Sequence, residues 1–130
     1  MKKHKIIMTV LKEDSGYSAT AKVGNVFINT QGETFNEFKE MVLDAVNLSF
    51  EDKGFAYTID EIGFKYDLES FFAFYNVINA KALSQRIGMN QSLLAQYIKG
   101  IKKPSPAQTK RILNGVQQIG RELSEIRFLL

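Results

Sequence analysis

The first half of the chain has the two-residue periodicity of β-strands, interrupted by turn signals. Residues 6–11 are apolar and rich in β-branched side chains, and residues 17–23 alternate apolar with polar positions. Asp14-Ser15-Gly16 and Gly24-Asn25 are turn-forming segments, and residues 26–30 form a third strand-like run. The pattern predicts three consecutive strands joined by short turns.

A helix and a fourth strand are predicted next. Thr34 and Glu37 have the spacing of a capping box, in which hydroxyl and carboxylate satisfy each other's backbone amides. The helix that follows ends at Gly54 and carries one apolar face, made of Phe35, Phe38, Val42, Ala45 and Leu48. Residues 59–68 alternate again at Ile62, Phe64 and Tyr66. We therefore expect the order β-β-β-α-β, with the helix across one face of an antiparallel sheet.

From residue 68 onward the periodicity is helical. The first helix is strongly apolar and joins the halves without a flexible linker (Phe71, Phe72, Phe74, Tyr75 and Ile78). Asn79 is expected to cap a helix over residues 80–87, Gly88 to form a left-handed turn, and Asn90 to cap a second helix over residues 91–99. The inward positions of these two helices are predicted to be Leu83, Ile87, Leu94 and Ile98.

A third helix is expected from Ser105 or Pro106 through Asn114. Its buried side is predicted to contain Ile112 and Leu113, and its exposed side Lys110 and Arg111. A last helix carries an apolar stripe at helical spacing: Val116, Ile119, Leu123 and Ile126. This stripe either closes the helical domain or forms a dimer interface, and the sequence favours neither.

Charge divides the chain at the same place as the periodicity. Residues 1–70 contain 8 Lys and 12 Asp or Glu, a net charge of −4, and residues 71–130 contain 9 Lys or Arg and 2 Glu, a net charge of +7. No acid occurs between Glu69 and Glu122. A basic segment of this kind is either a solvated face or the partner of a polyanion. We predict an α+β protein with two domains, residues 1–69 and 70–130.

The composition excludes several kinds of site. There is no cysteine, so disulfides, thiolate metal sites and cysteine nucleophiles are absent, and His4 is the only histidine. Asp14, Glu33, Asp44 and Asp60 are scattered over turns and a helix face, without the arrangement of a catalytic set. No apolar run is long enough to span a bilayer. We expect no enzyme, no metal, no cofactor, no membrane partner, and a cytoplasmic location.

The second predicted helix of the basic half has an outward face suited to the major groove of DNA. Gln91, Ser92 and Gln96 are expected to contact bases, because glutamine can make two hydrogen bonds to adenine and serine is adaptable. Lys99, together with Lys102 and Lys103 of the following loop, is expected to hold phosphates. The alternative is an ordinary antiparallel helix bundle that contacts only protein.

The stretch LSQRIGMNQSLLAQYIKGIKKPS, from Leu83 to Ser105, resembles the XRE/Cro-type repressor family. Gly88, the cap Asn90, the apolar positions, Gly100 and Pro104 carry the likeness, whereas the family usually has alanine at position 84. The resemblance covers residues 79–114. It implies an all-α helix-turn-helix domain that binds double-stranded operator DNA.

The first half resembles the HicB antitoxin family. The likeness rests on the segment Asp14-Ser15-Gly16-Tyr17, the segment Gly32-Glu33-Thr34-Phe35, and the acidic helix over residues 37–52. It implies a partial ribonuclease-H-like βββαβ fold that binds a HicA-like mRNA-cleaving toxin, while the helix-turn-helix represses the shared operon. The candidate toxin contacts are the helix acids Glu37, Glu40, Asp44 and Glu51, for which a solvated face is the alternative.

Two questions about partners remain open at the level of sequence. The chain is either such an antitoxin or a plain transcriptional repressor whose first half senses a ligand or dimerises. A single recognition helix contacts only a few base pairs, so we expect a homodimer or higher homo-oligomer on a palindromic site. Either the last helix or the sheet of the first half would then form the interface.

Overall fold

The computed structural model describes residues 2–129. The chain divides into two compact units, Met1–Phe74 and Tyr75–Leu130. The first unit therefore includes residues 70–74, which the sequence assigned to the second domain. The protein is mixed α+β, with a four-stranded sheet in the first unit.

The first unit has the order β-β-β-α-β followed by a short helix. Its strands are β1 (Ile6–Lys12), β2 (Tyr17–Val23), β3 (Val26–Gly32) and β4 (Ile62–Tyr66). Helix α1 (Phe35–Phe50) lies between β3 and β4 in sequence, and helix α2 (Leu68–Phe74) follows β4. The order of strands in the sheet is β3-β2-β1-β4.

The sheet is mixed, and the expectation of an antiparallel sheet was wrong. β1 pairs antiparallel with β2, and β2 with β3, but β4 pairs parallel with β1, in the register Ile6↔Ile62. The reason is the helical connection: α1 takes the chain from one edge of the sheet to the other and back to the end where β3 began. A strand that follows such a crossover runs in the direction of the one before it.

Helix α1 buries a different row of side chains from the one predicted. Phe38 and Val42 are buried as expected, and Val46 and Phe50 continue the row at a spacing of four residues. Leu48 is 73% exposed and Phe35 is 44% exposed, so their assignment to the buried face was wrong. The core also includes inward residues of all four strands and one residue of the α1–β4 connection: Ile6, Met8, Val10, Ala19, Ile28, Tyr57 and Ile62.

Half of the capping box at the start of α1 forms as predicted. The Thr34 hydroxyl accepts a hydrogen bond from the Glu37 amide at 3.2 Å. The Glu37 carboxylate accepts from the amide of Glu33 at 3.3 Å, one residue before the Thr34 amide that was expected. The capping carboxylate therefore holds the chain that enters the helix from β3.

Helix α2 belongs to the first unit because its contacts are with the sheet. The Ser70 hydroxyl, which is buried, accepts a hydrogen bond from the Lys12 amide at 2.9 Å. The Phe74 ring meets the Tyr17 ring edge to face, with centroids 4.7 Å apart. The predicted single helix from Phe71 to Ile78 thus ends at Phe74.

The second unit contains three helices: α3 (Ala80–Arg86), α4 (Gln91–Ile98) and α5 (Pro106–Ser124). Its buried apolar side chains are Leu83, Met89, Leu94 and Ile112, and the Ser84 side chain is buried with them. Ile87 and Ile98, predicted to face inward, are half-buried.

Three expectations for the last part of the chain were wrong. The third and last helices are one continuous helix, because no proline follows Pro106 and α5 passes Gly115 without a break. Leu113 is 50% exposed, because it is rotated by about 100° around α5 from the buried Ile112. Ile126 follows the end of the helix and is exposed as well.

Candidate nucleic-acid interface

The geometry of α3 and α4 is set at their ends by side-chain caps. The Asn79 side chain accepts a hydrogen bond from the Ala82 amide at 3.0 Å, and the Asn90 side chain accepts one from the Leu93 amide at 3.1 Å. Between the helices Gly88 has a φ of +67°, in the left-handed region where a side chain is strained. Both caps and the left-handed glycine are confirmed as predicted.

Helix α5 fixes the turn between α3 and α4 through Arg111. The guanidinium donates hydrogen bonds to the carbonyl oxygen of Ile87 at 2.7 and 3.0 Å and to that of Gly88 at 2.7 Å. These carbonyls are at the end of α3, where no helical amide remains to satisfy them. Arg111 therefore holds the turn to α5, and with it the start of α4.

Close packing and an ion pair fix α5 against α3. A Cβ atom on Gly115 would collide with the Ile87 side chain and lie 3.3 Å from that of Leu83, so any larger residue there would force the Ile87 side chain to shift. At the same end of α3, Arg86 forms two hydrogen bonds with the Glu122 carboxylate, at 2.7 and 3.0 Å. The Arg86 guanidinium, helped by the Gln118 amide, holds the pKa of Glu122 below its usual range.

The buried Ser84 has a structural explanation. Its hydroxyl donates a hydrogen bond to the Lys81 carbonyl oxygen at 2.6 Å, within the same helix. A serine can therefore occupy the position where the resembling family usually has alanine, because its polar group is satisfied locally.

The outward face of α4 has the side chains predicted to contact bases. Gln91 and Ser92 are exposed in its first turn, and Gln96 is half-buried one turn later. None of these three side chains forms a hydrogen bond with another of residues 2–129. Their donors and acceptors are therefore available to an external partner.

The predicted phosphate contacts lie at the opposite end of α4. Lys99 ends the helix, and Lys102 and Lys103 are exposed in the loop before α5. The loop is anchored at its start by the Gln96 carbonyl oxygen, which accepts from the Ile101 amide at 2.9 Å. The three lysines thus lie within five residues of one another beside the outward face of α4.

The predicted toxin contacts are exposed on the first unit. Glu37, Glu40 and Asp44 follow one another along α1, and Glu51 lies in the 3-10 turn after it. Asp44 and Glu51 also line a shallow groove that contains the exposed Leu48 and the half-buried Phe55. An exposed leucine between acids was not expected from the sequence.

The residues that position α4 were missed by sequence reasoning. Arg111 acts on carbonyl groups 23 and 24 residues earlier in the chain. A basic residue on a predicted exposed face gives no signal of such a contact. Gly115 gave a weak signal, since a glycine inside a strongly helical pattern frequently marks a close approach.

Neither a metal-binding cluster nor a membrane-spanning helix is present in the described part of the chain. Among residues 2–129 no three acidic or histidine side chains are grouped so that they could hold a metal ion. No described helix has the length and apolarity needed to cross a membrane.

Comparison of the chain with models of protein families, with curated proteins and with solved structures finds no match.

Proposed function

We propose that the second unit is a helix-turn-helix domain of the XRE/Cro type that binds double-stranded DNA and represses transcription in the cytoplasm. Helix α4 enters the major groove, where Gln91, Ser92 and Gln96 contact bases. Lys99, Lys102 and Lys103 bind the phosphates on either side.

One observation carries this proposal. The outward face of α4 combines unused hydrogen-bonding side chains with a cluster of three lysines, in a stretch that contains no acid from Ser70 to Arg121. A helix that only supported a protein core would not need this combination. Arg111 and the two asparagine caps hold the helix rigidly, as a binding site built on it requires.

The DNA test separates base contacts from phosphate contacts. Gln91→Ala and Gln96→Ala should each weaken binding to the chain's own promoter by about 1–3 kcal/mol and leave random DNA unaffected. The matched control is Gln117→Ala, because Gln117 is exposed on α5. Gel shifts at a fixed salt concentration measure the affinity of each variant for promoter and random DNA. If the α4 variants lost equal affinity for the two DNAs, their glutamines would not contact bases.

The dependence of DNA affinity on salt concentration tests the phosphate contacts. Lys102→Ala should weaken binding to all duplexes alike and reduce the slope of log K against log salt by about one unit. Lys65→Ala makes the same charge change on an exposed strand residue of the first unit, and its slope should stay at the wild-type value. Identical slopes for the two variants would show that only net charge matters.

We further propose that the first unit is a HicB-like antitoxin domain with a partial ribonuclease-H-like fold. Its partner is a small HicA-like ribonuclease whose gene lies in the same operon. The βββαβ order and the net charge of −4 support this proposal. A ribonuclease needs a basic surface for RNA, and carboxylates on α1 can occupy it in place of phosphates.

Co-expression with the neighbouring gene tests the antitoxin proposal in the full chain. Replacement of Glu40 and Asp44 by lysine should abolish rescue of growth from the neighbour's toxicity. The control replaces Asp14 and Asp60 by lysine, which makes the same change of charge at exposed turn positions. A neighbour that is harmless alone, or equal rescue by both variants, would instead favour a plain repressor whose first unit senses a ligand or dimerises.

A further inference from the structure

The sheet of the first unit is covered by α1 on one face only. The core lies between α1 and that face, and the residues between the core positions point to the other face, because successive side chains of a strand alternate. On β3, Ile28 is buried and Phe27 is 66% exposed, and on β1, Met8 is buried and Ile7 is 45% exposed. This second face, the open face, is therefore accessible to a partner.

The first row of the open face crosses the sheet from β3 to β4 and combines an aromatic ring with a lysine. Phe27 lies opposite Lys22, and Ile7 lies opposite Gly63. The register of β1 with β2 places Lys22 beside Ile7. An exposed ring can stack on a nucleotide base, and an ammonium group one strand away can bind a phosphate of the same nucleotide chain.

The second row of the open face is polar along its whole length. Asn29, Thr20, Thr9 and Lys65 lie side by side on the four strands. The side chains of Asn29, Thr20 and Thr9 form no hydrogen bond with any of residues 2–129. Hydroxyl and amide groups in such a row are suited to hydrogen bonds with base edges and with the 2′-hydroxyl groups of RNA.

The strands differ in charge from the rest of the first unit. They contain Lys12, Lys22 and Lys65 but no acid, whereas residues 1–70 contain 12 acids. Glu13 bounds the open face at one end, where its carboxylate accepts a hydrogen bond from the Ser18 hydroxyl at 2.7 Å. Lys22 and Lys65 are the only charged residues of the two rows, so the open face favours an anionic partner over a basic one.

We propose that the open face of the sheet binds single-stranded RNA. A base stacks on Phe27, Lys22 and Lys65 bind phosphates, and the uncharged polar groups of the second row contact sugar hydroxyls and base edges. Four strands at about 4.8 Å spacing span roughly 14 Å, which accommodates about two or three bases. A duplex cannot bind in this way, because its base faces are stacked on one another. The site goes beyond the functions proposed above and does not depend on either of them.

Binding of a fluorescent oligouridylate of about 10 nucleotides to the full chain tests the proposal. An excess of unlabelled random duplex DNA is present throughout, so that the basic second unit is occupied. Phe27→Ala should raise the dissociation constant about 10-fold, because stacking on the ring is lost. The matched control is Phe128→Ala, at an exposed phenylalanine of the second unit, which should bind as the wild type does. No binding in the presence of duplex DNA, or equal effects of the two variants, overturns the proposal.

The dependence of RNA affinity on salt concentration tests the two lysines. Lys22→Ala and Lys65→Ala should each reduce the slope of log K against log salt by about 0.7, the contribution of one phosphate contact on a single strand. Lys53→Ala makes the same charge change in the turn after α1 and should leave the slope unchanged. Equal slopes for the three variants would show that net charge alone attracts the RNA, and would overturn a site on the open face.

An oligodeoxyuridylate of the same length tests recognition of the sugar, because it lacks only the 2′-hydroxyl groups. It should bind about 5-fold more weakly than the oligouridylate, as expected for the loss of a hydrogen bond. Thr20→Val keeps the shape of the side chain and should reduce this difference, whereas Thr109→Val, at an exposed threonine of α5, should preserve it. Equal affinity of the wild type for the two oligonucleotides overturns the assignment to RNA.

Discussion

The two units are held together in different ways. The first unit has a continuous core to which all four strands and α1 contribute. The second unit buries only four apolar side chains, and three polar or close contacts from α5 add to them: Arg111, Gly115 and Glu122. A thin core leaves more of each helix exposed to solvent.

The difference also separates the effects expected of mutations. In the first unit the free energy of folding should depend mainly on apolar burial. In the second unit it should depend on individual hydrogen bonds and packing contacts between α3 and α5.

The largest effect is expected in the core of the first unit. Phe38 is 1% exposed and contacts the rings of Tyr17, Phe64 and Phe74. Phe38→Ala should cost about 3–5 kcal/mol, because it removes buried surface and leaves a cavity. Hydrogen exchange should show the loss in β1 and β2 amides. Phe27→Ala, at a ring that is 66% exposed, should cost well under about 1 kcal/mol; equal costs would contradict a packed core around Phe38.

A smaller effect is expected when the Arg111 hydrogen bonds of the second unit are removed. Arg111→Ala removes three hydrogen bonds to the end of α3 and should destabilise this unit by about 1–2 kcal/mol. Lys110→Ala is the control, because Lys110 is exposed beside it and has no hydrogen bond to any of residues 2–129. Hydrogen exchange of the α3 and α4 amides, recorded as the temperature is raised, measures the stability of both variants. Indistinguishable variants would mean that Arg111 does not hold the turn.

The smallest effect is the response to acid, and it should occur in both units. Hydrogen bonds from Arg86 and, to a smaller extent, Gln118 lower the pKa of Glu122. The pKa of Glu61 is lowered mainly by the hydrogen bond from Lys3 and then by the one from the Thr58 amide. Because the pKa is lowered in the folded state, each carboxylate stabilises its unit at pH values above 4.5, the usual pKa of a glutamate. That contribution is lost as the pH falls through the lowered pKa.

Substitution identifies which unit responds. Glu122→Gln should remove part of the acid sensitivity of the second unit only, and Glu61→Gln that of the first only. Unfolding is followed unit by unit through hydrogen exchange across the acidic range. Both pairs are exposed, so the effects should be small and should shrink with added salt. An unchanged acid profile in both variants would show that neither pair contributes.

Local features of the fold were predictable from sequence, whereas pairing across the chain was not. The caps at Thr34, Asn79 and Asn90 and the left-handed Gly88 depend on residues within a turn of each other, and their chemistry is visible in the sequence. Strand periodicity shows which side of a strand is apolar but not which neighbour it pairs with. The parallel pairing of β4 with β1 was missed for that reason.

The helix faces show where periodicity becomes ambiguous. Helix α1 carries two overlapping apolar rows, and the structure buries the one with Val46 and Phe50 and exposes Leu48. Only the position of the sheet decides between them. In α4 the exposure of Gln91, Ser92 and Lys99 was predictable, because it follows from the helix register. The hydrogen bonds from Arg111 were missed, because the carbonyl groups that accept them are distant in sequence.

The parallel pairing of β1 with β4 has a consequence for biosynthesis. β1 emerges first, yet its partner along Ile6↔Ile62 is 56 residues farther along the chain. Until β4 is made, β1 is an open edge, and such edges invite pairing with other chains. At about 5–20 residues per second, the 34 residues from Glu33 to Tyr66 take roughly 2–7 s to synthesise. The nascent chain is thus most prone to aggregate in that interval, and a stop before residue 62 would make the hazard permanent.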